Sequence, residues 1–190
     1  MTIYRWTIAA LWLTLAIYWA IAGTKAKRSI GTTGWWSRES GRLGVIGIVV
    51  ALWGIPPLRH ALRSTQAHLA GSAILGFTGA SLCAMGIGFA IIARAYLGRN
   101  WGMPMTRKEC PELVTTGPYA WVRHPIYSGL ILAMLGSTLG QSVFWTVPLL
   151  SFSAYFIHSA RREERLMLEQ FPQQYPAYAA RTKMLLPWVL

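Results

Sequence analysis

Aspartate is absent from this 190-residue chain, and its six glutamates stand against 18 lysines and arginines. Cysteine is almost absent too. Cys83 falls inside an apolar run and Cys110 in a polar connection, so the two should not pair, and no metal-ligand spacing exists. Internal repeats and low-complexity tracts are missing, which leaves no basis for a solenoid or a biased tail. Charge of either sign is missing from several long stretches, and this gap is the most telling. With 54% apolar residues and a mean hydropathy of +0.37, the composition is that of a membrane protein.

A helical span needs about 20 apolar residues. Residues 3–22 qualify, with only Arg5 near the end, and 69–93 carry no charge. The stretch 43–58 is shorter and ends in Pro56-Pro57, which should kink or stop a helix. Residues 126–157 are uncharged throughout, interrupted only by Gly140-Gln141-Ser142, a turn signal. The expected fold is therefore all-α: a polytopic integral membrane helical bundle of about five transmembrane helices, the last two a helical hairpin. It is read as one domain, 1–190, with three N-terminal helices in 1–93. Ala20-Ile21-Ala22 resembles a signal-peptide cleavage site. The apolar stretch before it is long for a signal core and the basic cluster follows it, so an uncleaved span is expected.

The formal net charge of +12 invites a nucleic-acid reading, but the distribution speaks against it. With the N-terminus outside, 15 of the 18 basic residues fall on the cytoplasmic side and only Arg5, Arg59 and Arg63 lie opposite. That is the positive-inside bias, with anionic headgroups contributing. No separate basic domain exists to hold nucleic acid. The expectation is a multi-pass membrane protein with its C-terminus in the cytoplasm, partnered by membrane lipid, with no nucleic acid and no obligate protein partner evident. Trp35-Trp36 suit an interfacial loop, and 59–68 an outer one. Ser72, Gly76, Ala80, Ala84 and Gly88, each four residues apart, suggest a seam for close helix packing, within the chain rather than at a dimer interface.

Two polar, turn-rich motifs flank the uncharged run: LVTTGPYAWVRHPIYSG at 113–129 and EERLMLEQFPQQYPAY at 163–178. The connection 94–124 is long, and loops of that length are often functional. Thr116-Gly117-Pro118-Tyr119 is a turn signature, and His124-Pro125 forces a non-helical residue ahead of the next helix. Residues 159–171 read as an amphipathic helix with Glu163, Glu164 and the arginines on its polar side. Its mixed-sign Arg-Arg-Glu-Glu-Arg run is in part a solvated face.

Taken together, GPYAWVRHPIYSG, EERLMLEQFPQQYPAY and the late Pro187 closely resemble the isoprenylcysteine carboxyl methyltransferase family of integral membrane enzymes, over about 96–190. The resemblance implies S-adenosyl-L-methionine as cofactor, with S-adenosyl-L-homocysteine as product, bound in a cytoplasm-facing pocket of a catalytic half, 94–190. Cofactor-binding positions carry over to Leu113, Val114, Tyr119, His124, Pro125, Ile126, Tyr127 and the carboxylate of Glu163, with Glu164 beside it. It also implies a substrate tunnel that opens between helices towards lipid. The chain departs from the family pattern at three places. Pro111 stands where a His is common and Pro172 where a Gly is usual. Ser159 stands where some members place an Arg that engages a substrate carboxylate, a role Arg161 or Arg162 could take over.

Methyl transfer from a sulfonium is an in-line displacement, so positioning is most of what a protein can supply. A carboxylate acceptor needs no base, whereas a thiol or amine does unless already deprotonated. Exclusion of water strengthens the nucleophile. Glu163 either holds the cofactor's hydroxyls or ammonium, or forms a weak surface salt bridge. His124 binds cofactor, acts as a base, or orders its loop. Tyr119 and Tyr127 face a cation or anchor the interface. Arg123 neutralises an acceptor or serves as an ordinary positive-inside residue. Arg123 and His124 are thus the catalytic candidates, and Arg161 and Arg162 the substrate-binding ones. The expected activity is methylation of a lipophilic or small-molecule acceptor, most of all a carboxylate. A phospholipid amine, a thiol, or a non-catalytic lipid-binding scaffold are the alternatives.

Overall fold

The computed structural model describes residues 3–23, 29–30, 35–69, 72–98, 107–108 and 112–185. Lys25, Lys27, Arg28, Arg99, Cys110, Pro111 and Pro187 lie outside the described residues, as do the side chains of Trp35 and Trp36. The helices are α1 (Ile3–Gly23), α2 (Trp35–Trp53), α3 (Pro56–Leu69), α4 (Ala73–Leu97), α5 (Pro125–Gly140), α6 (Thr146–Gln170) and α7 (Tyr175–Arg181). A two-residue antiparallel pair, β1 (Ser29–Ile30) with β2 (Arg107–Lys108), ties the α1–α2 connection to the α4–α5 connection.

The all-α membrane bundle is as expected. Among the described residues, Ile3–Ala22, Ala73–Leu97 and Val143–Gln170 are long and apolar enough to cross a membrane. A fourth span exists if α2 and α3, bent by 78° at their break, count as one. At 1.5 Å per residue, α5 is roughly 24 Å long, a little short of a hydrocarbon core of about 30 Å. The lipid-facing surface is written along α1, where Ile3, Trp6, Leu13, Ile17 and Ile21 are all exposed. A soluble protein rarely leaves so continuous an apolar stripe bare.

Two expectations need correction. Residues 59–68 are not an open loop. Pro56 and Pro57 do stop α2, but proline is well suited to a helix's first turn, and they start α3. Leu58 and Leu62, one turn apart, are half-buried, while Arg59, His60 and Arg63 are exposed. Nor is 159–171 a separate helix. The second arm of the hairpin runs unbroken from Thr146 to Gln170, because nothing in the sequence from apolar to charged residues interrupts the backbone hydrogen bonds. The hairpin turn falls at Gln141-Ser142, where the Ser142 hydroxyl accepts from the Phe144 amide at 3.2 Å.

The centre of the bundle is the antiparallel contact of α4 with α5. Gly79, Cys83, Gly86 and Ala90 meet Gly140, Gly136, Ala133 and Gly129 backbone to backbone. A methyl built on Gly86 would lie 2.5 Å from both the Gly129 carbonyl oxygen and the Ala133 nitrogen. Small residues bring the helices this close. The seam is not the one expected from the sequence: Ala84 is exposed and Gly88 faces open space. A strict four-residue spacing drifts round a helix of 3.6 residues per turn, whereas alternating steps of four and three stay on one face.

Against this pair α1 packs Ile8 and Leu15, which join Cys83, Ile87 and Ala133 in the core. Trp12 stacks on Trp145 with ring centroids 5.3 Å apart and donates its indole N–H to the buried Ser137 hydroxyl at 2.9 Å. At the other end, buried Arg94 donates to the Ala22 carbonyl at 2.8 Å and the Gly98 carbonyl at 2.7 Å. A cation on carbonyls left open at helix C-termini locks α1 to α4.

Candidate functional site

Three pieces of backbone meet at the N-terminal end of α5. The first is the segment 112–124. Gly117, with φ of +60°, sits against the Tyr96 ring, so a side chain is excluded both by conformation and by space. The turn it begins buries Tyr119. His124 stands just ahead of Pro125, whose fixed φ starts α5.

The second piece is the C-terminal segment that follows α7. The Arg123 amide donates to the Lys183 carbonyl at 2.8 Å and the His124 amide to the Met184 carbonyl at 3.0 Å. The Ser128 hydroxyl donates to the Leu185 carbonyl. Tyr175 and Tyr178 are both buried, and the Tyr178 hydroxyl donates to the Tyr119 carbonyl at 2.7 Å. Arg123 clamps the assembly, donating to the carbonyls of Ala179 and Thr182 near the end of α7.

The third piece is the polar half of α6. Glu164 accepts from Arg123 Nε at 2.6 Å. Glu163 accepts from the Tyr127 hydroxyl at 2.6 Å. His124 lies between the two carboxylates, Nδ1 3.5 Å from Glu163 and Nε2 3.4 Å from Glu164. The second contact is electrostatic only, since buried Nε2 has no hydrogen-bond partner. The His124, Tyr127 and Phe156 rings stack in sequence, with centroids 5.6 and 4.7 Å apart.

Burial pushes the His124 imidazole towards the neutral form, but Glu163 and Glu164 outweigh it, and its pKa rises above the ordinary value. With His124 protonated, the cluster balances two cations, Arg123 and His124, against two anions. Burial also raises the Tyr119 and Tyr175 phenols, and takes Tyr178 up to about 12. All three remain neutral hydrogen-bond donors at any physiological pH.

Of the residues expected from the sequence, Arg123, His124, Tyr127, Glu163 and Glu164 come together as one cluster. Pro125 and Ile126 form the first turn beneath it, Tyr119 adjoins it through Tyr178, and Leu113 and Val114 lie half-buried in the preceding segment. Arg161 and Arg162 do not join. Both are exposed, and among the described residues neither guanidinium pairs with a carboxylate. Phe156 was missed, although Phe156, Ser159 and Glu163 fall at positions i, i+3 and i+7, one face of a helix. Ser159 is wholly buried and its hydroxyl has no hydrogen-bond partner.

Residues 74–174 match the model of a family described as phospholipid methyltransferase. The chain is 31% identical over 104 residues to the nickel-cobalt-cadmium resistance protein NccN of Alcaligenes xylosoxydans xylosoxydans, covering 53% of this chain and 48% of that protein. It is 35% identical over 81 residues to methanethiol S-methyltransferase 1 of Bradyrhizobium diazoefficiens, covering 41% and 27%. It is 32% identical over 79 residues to the methanethiol S-methyltransferase of Mycobacterium tuberculosis, covering 37% and 28%. The chain thus spans about half, or less, of the length of these curated relatives.

Proposed function

This chain belongs to the phospholipid methyltransferase family, a family of membrane methyltransferases, and we propose that it transfers a methyl group from S-adenosyl-L-methionine to a small or lipophilic thiol. The observation that carries this reading is the cluster of His124, Tyr127, Glu163 and Glu164 at the open end of the hairpin. Its donor set suits the cofactor. Two carboxylates match a ligand that presents an ammonium and two ribose hydroxyls, and the buried Ser159 hydroxyl and His124 Nε2 have no hydrogen-bond partner. The aromatic stack of His124, Tyr127 and Phe156 makes an electron-rich wall that suits a sulfonium or an adenine ring.

Bound S-adenosyl-L-methionine supplies an electrophilic methyl on a positively charged sulfur. Glu163 holds the ligand's polar end, with Tyr127 and His124 fixing the carboxylate's orientation. Leu113, Val114, Tyr119, Pro125 and Ile126 shape the pocket, and Arg123 is a positioning residue that closes the C-terminal segment over it. When bound there, the cofactor would supply its methyl group to the acceptor sulfur and leave as the neutral thioether, and the thiol proton would pass to the carboxylate–imidazole cluster through His124 in its neutral form. In this arrangement 94–190 is the cofactor-binding half and 1–93 the scaffold of one domain. The cluster faces the cytoplasm on the positive-inside pattern.

A thiol is favoured over a carboxylate by where the guanidinium groups lie. Arg161 and Arg162 are exposed, Ser159 occupies the inward position, and Arg123 is already bonded to Glu164 and two carbonyls. The methanethiol S-methyltransferase relatives point the same way. Carboxylate O-methylation is the second reading, and it requires Arg123 to give up Glu164 for the acceptor. The test is methyl transfer from labelled cofactor to an alkanethiol and to a matched alkanoate in lipid nanodiscs. A thiol product whose rate climbs with pH towards a thiol pKa of about 8.5 or above supports the first reading. Methyl ester formation, flat above about pH 5, supports the second.

A further inference from the structure

At the opposite end of the hairpin lies a cavity that the methyl-transfer reading leaves unused. We propose that it binds one anionic phospholipid of the phosphatidylglycerol kind, as a site separate from the methyl-acceptor pocket. The 16 residues of α5 put roughly 24 Å between the His124 end and the Gly140 end. A ligand here is out of reach of any transfer at the Glu163 cluster.

The cavity has a volume of about 550 Å³ and is walled by the first turns of α1, the end of α2 and the α5–α6 turn. Four aromatic side chains, Trp6, Trp53, Phe144 and Trp145, line it. The wall is fixed by ring contacts: Trp145 stacks on Trp12, and Trp53 meets Phe144 edge-on at 6.5 Å. Tryptophans at helix ends settle at the level of lipid headgroups. This size takes a glycerol-phosphate region and the start of an acyl chain, the rest remaining in the bilayer.

Two polar groups in the wall select the occupant. Arg5 is the single charged side chain among the lining residues, with no carboxylate beside it there. Gln141 lines the wall as well, its Oε1 buried behind it with no hydrogen-bond partner. A lipid phosphate meets Arg5, and a headgroup hydroxyl would reach Gln141 through a turn of its amide. Charge nearby agrees with this. α3, bent 78° from α2 just past the cavity's Trp53, carries Arg59, His60 and Arg63 exposed.

The test is native mass spectrometry of the full chain with short-chain phosphatidylglycerol or phosphatidylcholine added, for wild type, Arg5→Gln and Trp6→Ala. The wild type should hold phosphatidylglycerol about fivefold more tightly, the effect of one basic side chain near an anionic headgroup. Arg5→Gln should erase that preference, while Trp6→Ala should weaken both lipids and leave the ratio unchanged. Equal affinity of the wild type for the two lipids, or an intact preference in Arg5→Gln, would overturn the proposal. So would displacement of the lipid by millimolar inorganic phosphate, which would mark a simple anion site. S-adenosyl-L-homocysteine binding, measured on the same samples, should be unaffected by Arg5→Gln, so a failure of either proposal is read independently of the other.

Discussion

Gly86 and Gly88 lie two residues apart on α4, and alanine at each should have opposite effects. At Gly86 the new methyl would sit 2.5 Å from the Gly129 oxygen and the Ala133 nitrogen. Non-bonded carbon contacts settle at about 3.5–4.0 Å, so the shortfall is about 1 Å. Both opposing atoms are backbone and cannot rotate aside. The helices must separate, at a cost of about 1–3 kcal/mol for an overpacked interior. At Gly88 nothing lies within 4 Å of the added methyl. There the substitution brings only the helix-propensity gain of about 0.5–1 kcal/mol. Since both variants share that gain, the difference between them isolates the clash. For a chain of this size it amounts to roughly 2–12 °C in unfolding temperature. The assay is thermal unfolding by far-ultraviolet circular dichroism in one detergent. Because the first turn of α5 carries His124 to Tyr127, Gly86→Ala should also weaken cofactor binding and Gly88→Ala should not. Equal unfolding temperatures, or a less stable Gly88→Ala, would refute the backbone-contact seam.

Three further predictions concern the polar cluster. The raised pKa of His124 means that its stabilising charge is fully present below the unfolded value of about 6.5 and is lost as pH rises through the folded one. The wild type should therefore lose thermal stability as pH rises from about 6.5 through the folded value, a slope that His124→Gln should flatten. Arg123→Ala removes the partner of Glu164 and the donor to two carbonyls, which should cost about 2–4 kcal/mol and speed proteolysis of the C-terminal segment. Arg123→Lys should rescue only part of this, because an ammonium cannot reproduce the fork. Tyr127→Phe deletes a 2.6 Å hydrogen bond to a carboxylate, worth about 1.5–3 kcal/mol, and equilibrium unfolding should register a loss of that order.

Much of this architecture is legible in the sequence because an uncharged run broken by Gly140-Gln141-Ser142 has to fold back on itself. A hairpin returns its two ends to the same level, so His124–Tyr127 and Glu163–Glu164 meet although 36 residues separate Tyr127 from Glu163. Other features are hidden for definable reasons. A proline pair reads as a stop whether or not a helix restarts after it, which concealed α3. The onset of charge near Arg161 looks like a boundary to a composition argument but not to the backbone, so α6 appeared as two pieces. Arg161 and Arg162 carry the right charge for an acceptor, yet both lie on the exposed side of α6. Ser159, one turn from Glu163, lies on the buried side. Phe156 was lost among many aromatics, and only its stacking on Tyr127 distinguishes it.

The central claim is that the His124, Tyr127, Glu163 and Glu164 cluster binds the cofactor. Isothermal titration of S-adenosyl-L-homocysteine into the detergent-purified protein, alongside Glu163→Gln and His124→Ala, tests it most directly. Micromolar binding by the wild type, weakened about tenfold or more in both variants by loss of charged hydrogen bonds, is the expected result. Wild-type affinity in both variants, or no binding to a folded wild type in detergent and in lipid nanodiscs alike, would contradict it.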